Sequence, residues 1–197
     1  MPNEHEFTGG RNPLLGDKDE LWSADSVDGS ETEVNEFLYS LVRMIKPEFV
    51  VETGCYLGDG TVAIARAIRD NEIGRMLTCD IDKEKVNSVN LRLRSEGLID
   101  FAEAVHMRGA DLIKQCNGMR IDFAFIDSGG EKGTREEEIN ELIPIIRPLT
   151  MFALHDTAPQ HVGMRKVAES VKCPSVYFNT PRGLTLFQNI VPKTITT

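Results

Sequence analysis

The sequence predicts an α/β fold, a doubly wound and mostly parallel sheet closed by an antiparallel hairpin. Three observations lead there. From residue 49 onward, short apolar runs of strand length alternate with longer runs of helical periodicity, the pattern of successive βα units. The central runs, "FVVET" and "FAFID", are apolar almost throughout, as strands are when both faces of a sheet are covered. The last two strand-like runs, "SVYFN" and "LTLFQ", flank a "TPRG" turn, which reads as a hairpin.

Residues 1–29 are polar and rich in Gly, Asp, Asn and Ser, with Phe7, Leu14, Leu15, Leu21, Trp22 and Val27 as their large apolar residues. They read as an N-terminal arm or lid, in which Leu21 and Trp22 would cover a site. Residues 30–197 form the one domain. "SETE" at 30–33 fits a capping box, Ser30 capping and Glu33 reaching back. Apolar residues then recur with helical spacing from Val34 to Ile45, and Pro47 ends the helix. A strand follows at 49–53, a helix at 59–70, a strand at 75–80 and a helix at 82–96 that stops at Gly97. Next come a strand at 102–107, a short helix at 110–116 and a strand at 121–127. A helix at 133–146 is closed by Pro148; its "REEEINE" run, 135–141, reads as a solvated face. A strand at 150–156, a helix at 161–171 ending before Pro174, and strands at 175–179 and 184–188 complete the chain.

The length, 197 residues, suits a single core, and 41% hydrophobic content is ordinary for a globular chain. No apolar run approaches the roughly 20 residues that span a bilayer. The N-terminus lacks the basic and apolar regions of a signal peptide, so cytoplasmic residence is expected. A net charge of −9 without a Lys/Arg cluster argues against nucleic acid as a partner. Cys55, Cys79, Cys116 and Cys173 form no Cys-x-x-Cys pair, so they read as reduced, mostly buried thiols.

Ligands of open α/β sheets bind beyond the carboxyl ends of the strands. Four of the five strands expected to be parallel end in an acid there: Glu52, Asp80, Asp127 and, after His155, Asp156. Capping of the next helix explains one or two of these more comfortably than all four. Between the first strand and its helix lies Glu52-x-Gly54-x-x-x-Gly58-x-Gly60. That spacing is wrong for the Gly-x-Gly-x-x-Gly turn that holds a pyrophosphate. A carboxylate at this edge suits an ammonium or sulfonium, and Asp80 stands where the second strand meets a ribose, with two oxygens to accept from both hydroxyls. Ribose and positive charge without pyrophosphate point to S-adenosyl-L-methionine, the glycines admitting its methionine part close to the backbone.

On "VETGCYLGDGT", "LTCDID", "FAFID" and "FALHDT", the chain resembles the class I S-adenosylmethionine-dependent methyltransferases, and more narrowly the small catechol-type O-methyltransferases and their sugar and natural-product relatives. The resemblance covers roughly residues 30–190. It implies a Rossmann-like seven-stranded sheet whose last strand is antiparallel. It also implies a cofactor site of Glu52, Gly54, Tyr56, Gly58, Gly60, Thr61, Asp80, Ala110 and Asp127, with Asp111 near the adenine and the Thr61 hydroxyl in place of a Ser often found at position 60. In metal-dependent members an Asp after strand four and an Asp-Asn pair after strand five hold a divalent ion. Asp127 and Asp156 match the acids, and Thr157 stands where Asn is expected, so Mg²⁺ or Mn²⁺ would rest on Asp127, Asp156 and Thr157. The family's catalytic lysine closely follows the strand-four Asp; Lys132 stands five residues after Asp127 with glycines between, and the role is not carried over to it.

The expected reaction is methyl transfer to an oxygen of a small-molecule acceptor, with Asp127 and His155 as the catalytic candidates. His155 is either a base at the carboxyl edge or a structural residue pointing away from Asp156; His106 and His161 are weaker candidates. Three other readings stay open: a metal-independent enzyme using His155, a non-catalytic S-adenosylmethionine-binding protein, and a nicotinamide dehydrogenase. A homo-oligomer is left open, and no membrane partner is expected.

Overall fold

The computed structural model describes residues 12–15, 21–26, 29–129 and 134–190. Lys132 and most of the arm therefore lie outside the described residues. The described chain forms α1 (Thr32–Ile45), β1 (Phe49–Thr53), α2 (Asp59–Asn71), β2 (Arg75–Asp80), α3 (Lys83–Ser95), β3 (Ala102–His106) and α4 (Gly109–Gln115). It continues through β4 (Phe123–Ile126), α5 (Thr134–Leu142), β5 (Met151–His155), α6 (Val162–Ser170), β6 (Ser175–Phe178) and β7 (Leu184–Gln188).

The strands build one seven-stranded sheet in the order β3-β2-β1-β4-β5-β7-β6. β1 to β5 are parallel, and β7 runs antiparallel between β5 and β6. The predicted hairpin is thus present, with its second strand inserted beside β5. The strand order reverses between β1 and β4, so their carboxyl ends open a crevice. Register sets the acids level there: Thr53 pairs with Ile126, and Ile126 with Leu154, which puts Asp127 and His155 at one height.

Neighbouring residues of a strand face opposite sides, and the core divides accordingly. Val50, Phe123 and Phe125 pack with Leu38, Ile64 and Ile68 on one side. Val51, Ile126 and Leu154 pack with Ile113, Leu142 and Phe152 on the other. Cys55, Cys79 and Cys116 are buried thiols and Cys173 is partly buried; all four are free.

Three local expectations are corrected. α1 has no capping box: Glu31 occupies the N-cap position with no side-chain cap bond, the Ser30 hydroxyl donates to Asp127, and Glu33 accepts from the Ser23 backbone and hydroxyl. Tertiary partners have outcompeted the local pairing. α5 ends at Leu142 instead of 146, because Pro144 lacks the N–H that a further turn needs and biases the residue before it out of the helix. The run 135–141 is not a solvated face throughout: Arg135 and Glu138 are buried, sharing an inward stripe with Ile139 and Leu142.

Candidate functional site

A cavity of about 720 Å³ opens at the carboxyl ends of β1, β2 and β4. Glu52, Gly54, Tyr56, Gly60, Asp80, Asp127 and Asp156 of the expected site all line it. Gly58, Thr61, Ala110, His155 and Thr157 do not. Gly58 is the N-cap of α2, with φ of 90°. Thr61 is fully buried and donates its hydroxyl to Glu52, so it orients the acid instead of facing a ligand. Ala110 is buried behind Met107, Arg108 and Gly109, which form that part of the wall. Leu21 is exposed, and neither it nor Trp22 borders the cavity.

The glycines answer to the protein as well as to a ligand. Gly54 has φ of 83°, and a Cβ there would stand 2.5 Å from the Asp127 carbonyl oxygen. Only glycine lets the loop after β1 pass so close to the end of β4. At Gly60 a Cβ would meet Glu52 Oε1 at 3.0 Å.

Two halves of the cavity differ in how their carboxylates are held. In the β1–β2 half, Asp80 accepts the Tyr56 backbone N–H at 3.1 Å on Oδ2 and the Asp82 N–H at 2.9 Å on Oδ1. Each oxygen keeps a lone pair, since a carboxylate offers about four acceptor sites. Glu52 is fully buried, and burial pushes it up to about 7 despite the Thr61 hydroxyl. Glu138 reaches in from α5, receiving Thr53 Oγ1 at 3.0 Å and Ser128 Oγ at 2.8 Å on Oε2. Its Oε1 is buried with no partner among the described residues, and burial raises its pKa.

In the β4–β5 half every carboxylate is paired with a cation. Arg135 Nη2 lies 2.8 Å from Asp156 Oδ2 and 3.4 Å from Asp127 Oδ1. Its Nη1 donates to the His155 carbonyl and its Nε to the Ser128 carbonyl. Arg182 Nε lies 2.7 Å from Asp156 Oδ1, and the Arg182 backbone N–H donates to Glu31 at 2.7 Å. His155, 1% exposed, places Nδ1 3.0 Å from Asp127 and Nε2 2.7 Å from Glu31. Burial alone would lower its pKa, but the carboxylates of Asp127, Glu31 and Asp156 outweigh it and push His155 up to about 10. The same cluster holds Asp156 and Glu31 below the usual carboxylate range against the opposing effect of burial.

S-adenosylmethionine fits this donor set. Its ammonium and ribose hydroxyls are donors, and Glu52, Asp80 and the unpartnered Glu138 Oε1 are acceptors in or behind the wall. A divalent ion is another matter. Asp127, His155 and Asp156 bring one ligand atom each within 4.8 Å of one another, a spacing that suits a metal. As the side chains stand they do not fit one: Arg135 and Arg182 already occupy both Asp156 oxygens. Thr157 is not turned to the cluster; its hydroxyl accepts from Thr185 at 2.8 Å.

Sequence reasoning missed Glu31, Arg135, Glu138 and Arg182. The 135/138/139/142 stripe was a readable signal for two of them. Glu31 and Arg182 had none, because they meet across 151 residues of chain.

A methyltransferase domain family matches residues 51–157, more than half of the chain. Tapetum-specific methyltransferase 1 of Arabidopsis thaliana is 24% identical over 132 residues, 66% of this chain and 55% of that protein. Caffeoyl-CoA O-methyltransferase of Mesembryanthemum crystallinum is 27% identical over 122 residues, 59% of this chain and 47% of that one. The matches thus span about half the length of these relatives. Among solved structures, an O-methyltransferase from Bacillus cereus in complex with SAH superposes with a TM-score of 0.68 at 18% identity, covering 89% of this chain and 88% of that chain.

Proposed function

The chain belongs to the methyltransferase domain family, and from that premise we propose that it is an S-adenosylmethionine-dependent O-methyltransferase acting on a small molecule. One observation carries the reading: a cavity at the strand-order reversal, lined by Glu52, Asp80 and Asp127, whose β1–β2 half keeps acceptors free for a cationic ribonucleoside. Oxygen as the methylated atom is supported by the names of the similar proteins from M. crystallinum and B. cereus.

When bound, the cofactor supplies a methyl group already activated by its sulfonium. The protein's task is then alignment of the acceptor, exclusion of water and removal of one proton. Asp80 holds the ribose and Glu52 the positively charged end. His155 serves as a positioning residue and not as the base, since both its ring nitrogens face carboxylates. It ties Asp127 to Glu31 at the start of α1. Asp127 is the acid of that trio that lines the cavity and can receive the acceptor's proton. Of the described arm residues, Gly29 lines the cavity beside Ser30, and the Ser26 hydroxyl donates to Asp59 at 3.1 Å.

Calorimetry tests the reading. S-adenosylmethionine and S-adenosylhomocysteine should bind and NAD should not. A screen of small hydroxylated acceptors should then release S-adenosylhomocysteine. Binding without release would leave a non-catalytic binding protein, and binding of NAD alone would overturn the proposal.

A further inference from the structure

The Asp127–Asp156 pair stands where a divalent ion would rest in a metal-dependent member, and this step builds on the methyltransferase reading. We infer that the guanidinium groups of Arg135 and Arg182 take that ion's place, as fixed cations that hold the two carboxylates and keep a metal out. The distances make the case. Arg135 Nη2 bridges the two acids, 2.8 Å from Asp156 and 3.4 Å from Asp127. Arg182 closes the other Asp156 oxygen at 2.7 Å. Both arginines are deep in the structure, with side chains 3% and 11% exposed.

Asp127 has further partners, which leave one lone pair on Oδ2. His155 Nδ1 lies against Oδ1, and the Ser30 hydroxyl donates to Oδ2 at 3.1 Å. Two negative charges thus face two guanidiniums that cannot lose their protons at any accessible pH. A divalent ion entering this space meets like charge at close range instead of an open pair of acids. Arg135 is held in place by more than the acids, donating also to the carbonyls of Ser128 and His155. Its planar fork of five donors thus reaches four acceptors at once. Arg182 also lines the cavity, and its Nη1 has no partner among the described residues. It places a fixed positive group in the acceptor half of the cavity without an exchangeable metal.

The test is Mn²⁺ binding to the full chain at neutral pH, followed by electron paramagnetic resonance. Wild type should show no Mn²⁺ site tighter than millimolar. Arg135→Ala should gain at least about tenfold in Mn²⁺ affinity, since it removes a like charge from the site. Adding Asp156→Asn should abolish the gain. Arg135→Lys, which keeps the charge, should still exclude the ion. Arg182→Gln is the second route: it frees Asp156 Oδ1 and should give a smaller gain, so the idea stays testable if Arg135→Ala does not fold. Tight Mn²⁺ binding by wild type that Asp156→Asn removes would overturn the inference. So would the absence of any gain in folded variants of both arginines. S-adenosylhomocysteine calorimetry on the same samples separates the two readings. Its failure would sink the methyltransferase proposal alone, while the metal titration would still decide this one.

Discussion

The two halves of the cavity use the same residue types in opposite ways. Around β1 and β2, Glu52, Asp80 and Glu138 meet hydroxyls and backbone N–H groups, and no ion pair holds them among the described residues. Around β4 and β5, Asp127, Asp156 and Glu31 are held by Arg135, Arg182 and His155. The first arrangement leaves carboxylate acceptors open. The second matches each carboxylate with a cation of the protein. Carboxylates at a strand end therefore differ in how much they leave open to a ligand, according to whether a cation of the chain reaches them first.

The largest test of this contrast is Asp156→Ala. It leaves two buried guanidiniums without their shared partner, and breaking a buried pair costs about 3–5 kcal/mol. Urea unfolding should show that loss. A drop under 1 kcal/mol would mean that the cluster contributes little to holding the β5 end.

A pH series comes next, and the two halves give separate windows. Glu52 is raised from 4.5 to about 7. Its folded form binds the proton more tightly than its unfolded form, so its contribution is full below 4.5 and is lost as pH rises through about 7. The loss amounts to about 3 kcal/mol, at 1.36 kcal/mol per pKa unit. His155 is raised from 6.5 to about 10. Its contribution is full below 6.5 and disappears as pH rises through about 10. Glu52→Gln should flatten the acidic window and leave the alkaline one. A single slope unaffected by Glu52→Gln would put the titrating group elsewhere. Binding of the cofactor should also expel a proton from Glu52 near neutral pH, read as a dependence of the calorimetric heat on buffer ionisation.

Asp80→Ala should act on binding alone. Loss of hydrogen bonds to a charged group weakens S-adenosylhomocysteine by about 1.5–3 kcal/mol. Thermal stability should barely move, because Asp80 is paired with backbone N–H groups and not with a buried ion. Unchanged affinity would remove Asp80 from the ribose site. The smallest effect belongs to Thr157→Val. It leaves the buried Thr185 hydroxyl without its acceptor, for about 1 kcal/mol of stability. Cofactor affinity should stay as in wild type; a change there would return Thr157 to the site.

Much of this was legible in the chain. Local periodicity placed every strand and helix to within a few residues, because packing between βα units demands the apolar runs themselves. The strand-end position of Glu52, Asp80, Asp127 and Asp156 followed from the same pattern, and all four line the cavity. The glycine spacing argued against a pyrophosphate turn. What the sequence could not supply was the partner of each acid. Ser30 and Glu33 looked like a local capping box, yet each bonds elsewhere. Arg135 looked like a surface charge, and Arg182 like a turn residue.

The sequence by itself determined the α/β class, the edge of the sheet that bears the site and the acids that reach it. Those are properties of runs and spacings a few residues long, within which backbone geometry fixes where a side chain emerges. Only the tertiary structure decided which acids stay free. That choice depends on Glu31, Arg135, Asp156 and Arg182 meeting across the sheet edge. Electrostatic pairing acts through space over a few ångströms, and no local pattern in the chain records it.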